Sequence, residues 1–476
     1  MSDELCYLPA TELAAMVRRR EVSARELLEA HLARIARVNP AVNAVVTLDA
    51  DRARRVAAAA DERTARGEPL GPLHGLPVVH KDTHLTAGLR TTFGSPLHAD
   101  FVPDQDDLVV ARLAAAGAVR LGKSNVPEFA AGSHTFNPVF GATRNPYRRD
   151  VSAGGSSGGA AAALAAGLTP LAEGSDMGGS LRNPAAFCNV AGLRPSPGRV
   201  PSHPSAQPWS TLAVQGPLGR TVADVALMLS VLAGPDRRAP LALSEPGAGF
   251  APPPPPLRPG LRVAWAPDLG GRIPVDVAVR DVIAATLPVV EGLGMRVTPD
   301  CPDLDDADEV FDVIRAWHFA TAFGGLVREH PDQVKETIRW NAERGLRLSA
   351  ADVGRAEVLR ANLRLAAVDF FDRYDVLLAP TTQVLPFDVD VEYPTEVEGV
   401  PQPDYIGWMR SCTLVTAIGC PSLSVPAGFS PDGLPVGMQI VAAPGADRTV
   451  LEVGHALEQA MPWSRHRPRF DQPVGR

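Results

Sequence analysis

The 476-residue sequence predicts an α/β fold: one large mixed α/β domain, with a more helical excursion in its second half. Three observations carry that reading. Short apolar, strand-like runs alternate with helical patterns up to about residue 235. A proline-rich stretch, "GAGFAPPPPPLRPG" (247–260), interrupts the alternation without ending it. Strand-like runs then return at "LRVAWAP", "YDVLLAPTT" and "PSLSVPAGF".

The elements follow in order. Ser23 and Glu26 make a capping box ahead of Leu27, Leu28, Leu32 and Ile35, which fall on one helical face. That helix should end near Asn39-Pro40. "NAVVTL" (43–48) reads as a buried strand and "ADRARRVAAAADERTAR" as the helix after it. "LPVVHKD" (76–82) is another short apolar strand, with Lys81 at its end. The proline run favours an extended conformation and cannot be a helix or sheet interior. Beyond it, "PVDVAVRDVIAATLPVVEGLG" reads as one helix, and 303–373 as a helical region containing "IRAWHFATAFGG". "GLPVGMQIVA" follows "PSLSVPAGF" in a hairpin-like arrangement. With no internal repeat visible, residues 1–476 read as a single domain.

Composition narrows the function classes. A hydrophobic content of 45%, a charged content of 21% and a net charge of -8 are those of an ordinary soluble globular protein. No basic block could neutralise a phosphate backbone, so no nucleic-acid partner is expected. No apolar run reaches the ~18 residues that span a bilayer, and "MSDELCYLPA" carries no secretory signal. The five cysteines (Cys6, Cys188, Cys301, Cys412, Cys420) are scattered, as free thiols in a reducing compartment would be. The expectation is a cytoplasmic protein. One imbalance is sharper: of 46 basic residues only Lys81, Lys123 and Lys335 are lysines. Arginine stays protonated, whereas a buried lysine can lose its proton and act as a base.

Three motifs could carry chemistry. "GAVRLGKS" (117–124) fits the P-loop pattern, which would make the chain a nucleotide-binding protein. Its "AVRL" reads as a strand, however, and Lys123 then as a structural lysine. "GGSSGG" (154–159) contains GxSxG centred on Ser156, a nucleophile-elbow pattern, or else a glycine-rich turn opening the helix "GGAAAALAAG". "GSDMGGSLRNPA" (174–185) sets Ser180 just ahead of a helix start at Asn183-Pro184. The two glycines within 176–180 let several N–H groups turn inward towards an oxyanion.

Taken together, "GLPVVHKD", "GGSSGGAAAALAAGLTPLAEGSDMGGSLRNPAAFCNVAGLRPSPGRV" and "CPSLSVPAGFSPDGLPVGMQI" resemble the amidase signature family, and the likeness runs through nearly the whole chain. The spacing of Lys81, Ser156 and Ser180 fits it too. The resemblance implies an α/β/α sandwich around a large mixed β-sheet and a Ser–cis-Ser–Lys catalytic set. Ser180 would be the nucleophile, Ser156 the bridging serine behind a cis Gly155–Ser156 bond, and Lys81 the general base. The N–H groups of Met177, Gly178, Gly179 and Ser180 would form the oxyanion hole, while Ser157, Asp176 and Arg182 hold the loop. For this the Lys81 pKa must fall from ~10.4 towards 7.

The implied substrate is a small-molecule amide, cleaved through an acyl-enzyme on Ser180 with release of ammonia or an amine. The family needs no metal or organic cofactor, and many relatives are dimers, so a homodimer is expected. Within the family, the alternative is the glutaminase (A) subunit of a tRNA-dependent amidotransferase. That branch tends towards "GSDTGGSIR" and "GLKPT", where this chain has "GSDMGGSLR" and "GLRPSPG"; the departures favour a self-contained hydrolase. Residues of 131–140, Trp317-His318 and Trp408 are candidates for lining the acyl pocket.

Overall fold

A computed structural model describes residues 3–470. Its centre is a mixed sheet of eleven strands. In chain order these are β1 (Val45–Leu48), β2 (Pro77–Lys81), β3 (Val119–Ser124), β4 (Leu171–Asp176), β5 (Ala191–Arg194), β6 (Val214–Gly219), β7 (Arg262–Trp265), β8 (Arg296–Pro299), β9 (Val376–Pro380), β10 (Ser422–Phe429) and β11 (Pro435–Ala442). Their spatial order is β1-β3-β2-β4-β6-β5-β10-β11-β9-β7-β8. The strands β3, β2 and β4 run parallel, as do β9, β7 and β8, and the strands between them pair antiparallel. Strands from both sides of the 247–260 proline run share this one sheet.

Adjacent residues in the strands supply two different cores, because successive side chains leave a strand on opposite faces. Val78 and Leu171 join one apolar cluster, while Val79 and Ala172 join the other. Each face is therefore covered, and the fold is the α/β class that the alternation predicted. On the Val79 side lies helix α3 (Gly158–Ala165), preceded in the chain by α1 (Ala24–Val42) and α2 (Ala50–Ala65). Every residue of α3 is buried, which its run of glycine and alanine permits by letting the backbone lie close to the sheet. The short helix α4 (Arg182–Phe187) packs on β10 and β11.

The excursion at 303–373 is three helices, α5 (Ala307–Glu329), α6 (Glu336–Leu346) and α7 (Ala350–Arg373). The hairpin of β10 with β11 also forms as read. Three boundaries differ. The capping box of Ser23 and Glu26 is present, but α1 continues through Pro40 to Val42. A proline in the last turn forfeits one hydrogen bond, and burial of Val38 and Val42 outweighs that loss. The stretch read as one helix at 274–294 is two, Val277–Ala284 and Leu287–Gly292. Pro288 has no N–H to continue the first helix and instead occupies the opening turn of the second. Finally, the strand read at 43–48 starts at Val45 and is only partly buried.

The contact between α4 and β11 leaves no room for a side chain at Gly437. A Cβ there would lie 2.5 Å from Ala186 Cβ and 2.7 Å from its Cα. Gly437→Ala is therefore expected to destabilise the protein by about 1–3 kcal/mol, the usual range for overpacking. An unchanged urea midpoint would show that helix and strand do not meet so closely.

Candidate active site

The strand β2 delivers Lys81 to the site. Lys81 lies two residues beyond Val79 and shares its face of the sheet, the face covered by α3. The chain enters α3 through Ser156 and Ser157, so strand and helix bring the amine and two hydroxyls together. Lys81 is fully buried. Its Nζ donates to Ser156 Oγ at 2.7 Å, to Ser157 Oγ at 3.0 Å and to Ser175 Oγ at 3.0 Å. None of these partners is a carboxylate. Burial pushes the Lys81 pKa down to about 7, while the more distant charges of Glu173 and Asp176 pull it back up. An ammonium can donate to all three hydroxyls. Once neutral it keeps two N–H bonds and a lone pair, so one hydroxyl must then donate to it. That is the configuration of a base.

The end of β2 is fixed from the opposite face. Glu173 accepts the Lys81 backbone N–H at 3.0 Å and the His80 ring nitrogen at 3.2 Å, with His84 against its second oxygen. Burial alone would raise this carboxyl; the two histidine rings hold it well below the usual carboxylate range.

The Ser180 loop is organised by Asp176. This fully buried carboxylate accepts the backbone N–H of Gly179 (3.0 Å) and Leu181 (3.1 Å), and the Arg182 guanidinium at 3.1 and 3.0 Å. Arg194 reaches the same side chain at 3.3 Å. Burial, which would raise the carboxyl, is outweighed by the two guanidiniums, and Asp176 remains ionised. The loop turns through Gly179 at φ +107°, where a Cβ would also strike Asn183 Nδ2 and Cys412 Cβ. Arg182, rather than Asn183, opens the helix, which places Ser180 two residues before it.

The four-amide oxyanion hole expected from the sequence is narrowed by this arrangement. The Gly179 N–H is already engaged by Asp176. The amides of Met177, Gly178 and Ser180 have no hydrogen-bond partner among the described residues.

Ser156 and Ser180 line one cavity of about 240 Å³, together with Ser175. The Gly155–Ser156 peptide is cis. The Ser157 backbone N–H donates to the Ser180 carbonyl at 3.2 Å, tying the two serine segments together. Among the described residues, no hydrogen bond joins the Ser156 and Ser180 hydroxyls.

Other candidates fall out differently. Lys123 sits inside β3, fully buried, donating to the His84 carbonyl and to Thr86 Oγ1 (2.9 Å). In "GAVRLGKS" Gly117 precedes the strand and Gly122 lies within it, so the stretch is a strand and not a phosphate loop. Ser156 of the GxSxG motif faces a lysine, which excludes the elbow reading that needs a histidine beside it. Of the pocket candidates, Gly132, Ser133 and His318 line the cavity. Trp408 is buried core, packed on Phe187 and Phe387, and Trp317 is exposed to solvent. Phe129, Met177, Phe319, Phe323 and Met409 supply the apolar wall. Sequence reasoning missed Ser175 and Arg315. The first had one available signal, a serine ending the strand beside that of Lys81; the second had none, being one arginine among many.

Fold and site together define a class, an α/β protein in which a buried lysine meets a cluster of serines beside a cavity. Comparison with known proteins gives the family: residues 26–451 match the family model described as Amidase. An acylamidase of Rhodococcus erythropolis is 39% identical over 98% of this chain and 98% of its own. The (A) subunit of the glutamyl-tRNA(Gln) amidotransferase of Methylococcus capsulatus is 36% identical over 96% of this chain and 98% of its own. Among solved structures, a bacterial aryl acylamidase of the amidase signature enzymes superposes with a TM-score of 0.88 at 31% identity, covering 96% of this chain and 97% of that one. The chain belongs to the amidase family and is a hydrolase of amide C–N bonds.

The lysine's burial has a sign that can be measured. Below pH 7 both folded and unfolded chains hold the Lys81 proton, and folding bears the full burial penalty. Between about 7 and ~10.4 the folded protein has lost a proton that the unfolded chain retains, so this residue's contribution to stability rises with pH. Lys81→Met abolishes that dependence. The variant's stability relative to the parent is expected to fall by about 2–3 kcal/mol between pH 6 and pH 9. A difference independent of pH in urea unfolding would mean that the amine keeps an ordinary pKa.

Proposed function

We propose that this protein is a self-contained amidase in which Ser180 is the nucleophile, Ser156 the proton bridge and Lys81 the base. Neutral Lys81 takes the proton of Ser156, and Ser156 takes that of Ser180 as its Oγ bonds to the amide carbonyl carbon. The oxyanion rests on the unpartnered amides of the 177–180 turn. The proton returns through Ser156 to the nitrogen, the C–N bond breaks and ammonia or an amine leaves. Water, deprotonated by the same relay, then hydrolyses the ester on Ser180. One observation carries this reading: a buried amine whose pKa falls to about 7 stands 2.7 Å from Ser156 Oγ, with Ser180 in the same cavity.

The cavity wall supports aryl or aliphatic acyl groups, since three phenylalanines (Phe129, Phe319, Phe323) and two methionines (Met177, Met409) line it. The likeness to an acylamidase and to an aryl acylamidase points the same way. The amidotransferase subunits share the fold. Met177 and Leu181 depart from their usual loop, which favours action without partner chains or tRNA. The five cysteines are all free thiols, in keeping with the cytoplasm.

Purified protein alone should release ammonia or amine from aryl and aliphatic amides. Ser180→Ala and Lys81→Arg should each lower kcat by about 10³-fold or more. A serine-reactive phosphonate should label Ser180. Wild-type-like turnover by Lys81→Arg, which keeps the positive charge, would remove the base assignment. Ammonia release that requires glutamine and added partner chains would restore the amidotransferase reading.

A further inference from the structure

Arg315 lies on α5 and lines the same cavity as Ser180, with only 5% of its surface exposed. Its Nη1 donates towards Met177 Sδ at 3.2 Å, and its Nη2 donates to the Tyr405 hydroxyl. That hydroxyl also accepts from Asn341 Nδ2. The guanidinium stacks over the Phe319 ring, 4.3 Å from its centre. Its Nε is buried and has no hydrogen-bond partner among the described residues. No carboxylate among them pairs with it.

Other buried arginines have stronger acceptors, although Arg194 and Arg220 also leave Nε without a partner among the described residues. Arg182 and Arg194 share Asp176, and Arg199 pairs with Asp447 and Glu245. Arg34 meets Asp3, and Arg220 donates to the carbonyls of Leu8, Leu164 and Thr169. Arg315 has instead a thioether, a shared phenol and an aromatic face, which are weak partners for a charge removed from water. The nearby His318 does not alter this balance: burial pushes its ring down to about 4, so at neutral pH it brings neither positive nor negative charge. A guanidinium left short of acceptors at a cavity wall is a fork waiting for an anion, and a carboxylate matches it in shape and charge.

We infer that Arg315 binds a carboxylate of the substrate, so that the preferred amides carry an acidic group about one cavity's length from the scissile bond. This rests on the amidase reading above. The acid can belong to the acyl part, as in the monoamide of a dicarboxylic acid, or to the amine part, as in an N-acyl amino acid. The apolar wall then holds the carbon chain or ring between Ser180 and Arg315.

The test uses matched pairs. A dicarboxylic monoamide is set against the neutral alkyl amide of equal length, and an N-acylglycine against the N-acyl alkylamine. The parent protein should favour the acidic member of one pair, and which pair it is assigns the side. Arg315→Met should lower kcat/KM for that substrate about 10- to 100-fold more than for its neutral counterpart, mainly through KM. Arg315→Lys should restore part of the loss. Equal losses for both members would make Arg315 a structural residue and overturn the inference. So would a parent protein indifferent to the acid.

Because Arg315→Met can fail to fold, binding of the same pairs is also measured by calorimetry on Ser180→Ala protein with Arg315 intact. Tighter binding of the acidic member supports the inference even if neither amide is cleaved, in which case only the amidase reading falls. Equal binding overturns the inference while leaving cleavage of neutral amides untouched.

Discussion

An amine buried among hydroxyls, with no carboxylate in contact, is the constraint on which the rest of this structure depends. Burial disfavours the charged form of Lys81, and the ionised Glu173 and Asp176 favour it from a distance. The balance sets the proton affinity near neutrality. Either carboxylate in direct contact would hold the lysine as a permanent ammonium, useless as a base. Glu173 is kept from that contact by spending its oxygens on the Lys81 backbone amide and on two histidines. Asp176 is kept from it by two arginines and two loop amides. The carboxylates thus act on Lys81 only through space.

Asp176 joins this electrostatic role to a mechanical one. Its bonds to the Gly179 and Leu181 amides shape the turn that carries Ser180, and its ion pairs anchor the turn to α4 and β5. Arg182 extends the anchorage to Gln439 on β11 and to the Cys412 carbonyl. The Ser180 turn is therefore set by the middle of the sheet, not by a free loop. A buried ion pair of this kind adds little net stability, but losing one partner would strand the other's charge.

Much of this was legible in the sequence, for identifiable reasons. Lys81 stood out because the chain uses arginine almost everywhere else, and Ser156 and Ser180 because glycines crowd around them. The alternation of apolar runs gave the sheet, since a strand buried on both faces leaves that signature. Other features depended on contacts that one-dimensional patterns do not encode. The glycines before Ser180 suggested inward amides and the family resemblance implied four, but only folding shows that Asp176 takes the one at Gly179. Ser175 becomes a partner of Lys81 through the pairing of β4 with β2. Arg315, among 43 arginines left when three lysines are taken from 46 basic residues, differs from the others only in what surrounds it. The prolines at 40 and 288 misled in opposite directions. The first is carried inside a helix by buried neighbours, and the second divides what periodicity had joined.

Two basic side chains beside the serines differ in what they can do: Lys81 stands behind Ser156 and Ser175, and Arg315 lines the cavity. In the proposed mechanism Lys81 sheds its charge before attack and takes it up as negative charge develops on the carbonyl oxygen. Arg315 cannot, because a guanidinium remains protonated throughout. One site is thus suited to a proton that moves and the other to an anion that stays. Helix α5 carries the fixed charge, and the central sheet carries the titrating one. Exchange of residues on α5 can then alter which amides are held without disturbing the base, since none of the hydrogen-bond partners of Lys81 comes from that helix. Under the proposed mechanism, selection among amides can vary on a helical segment while the lysine, held on a strand of the central sheet, keeps its place.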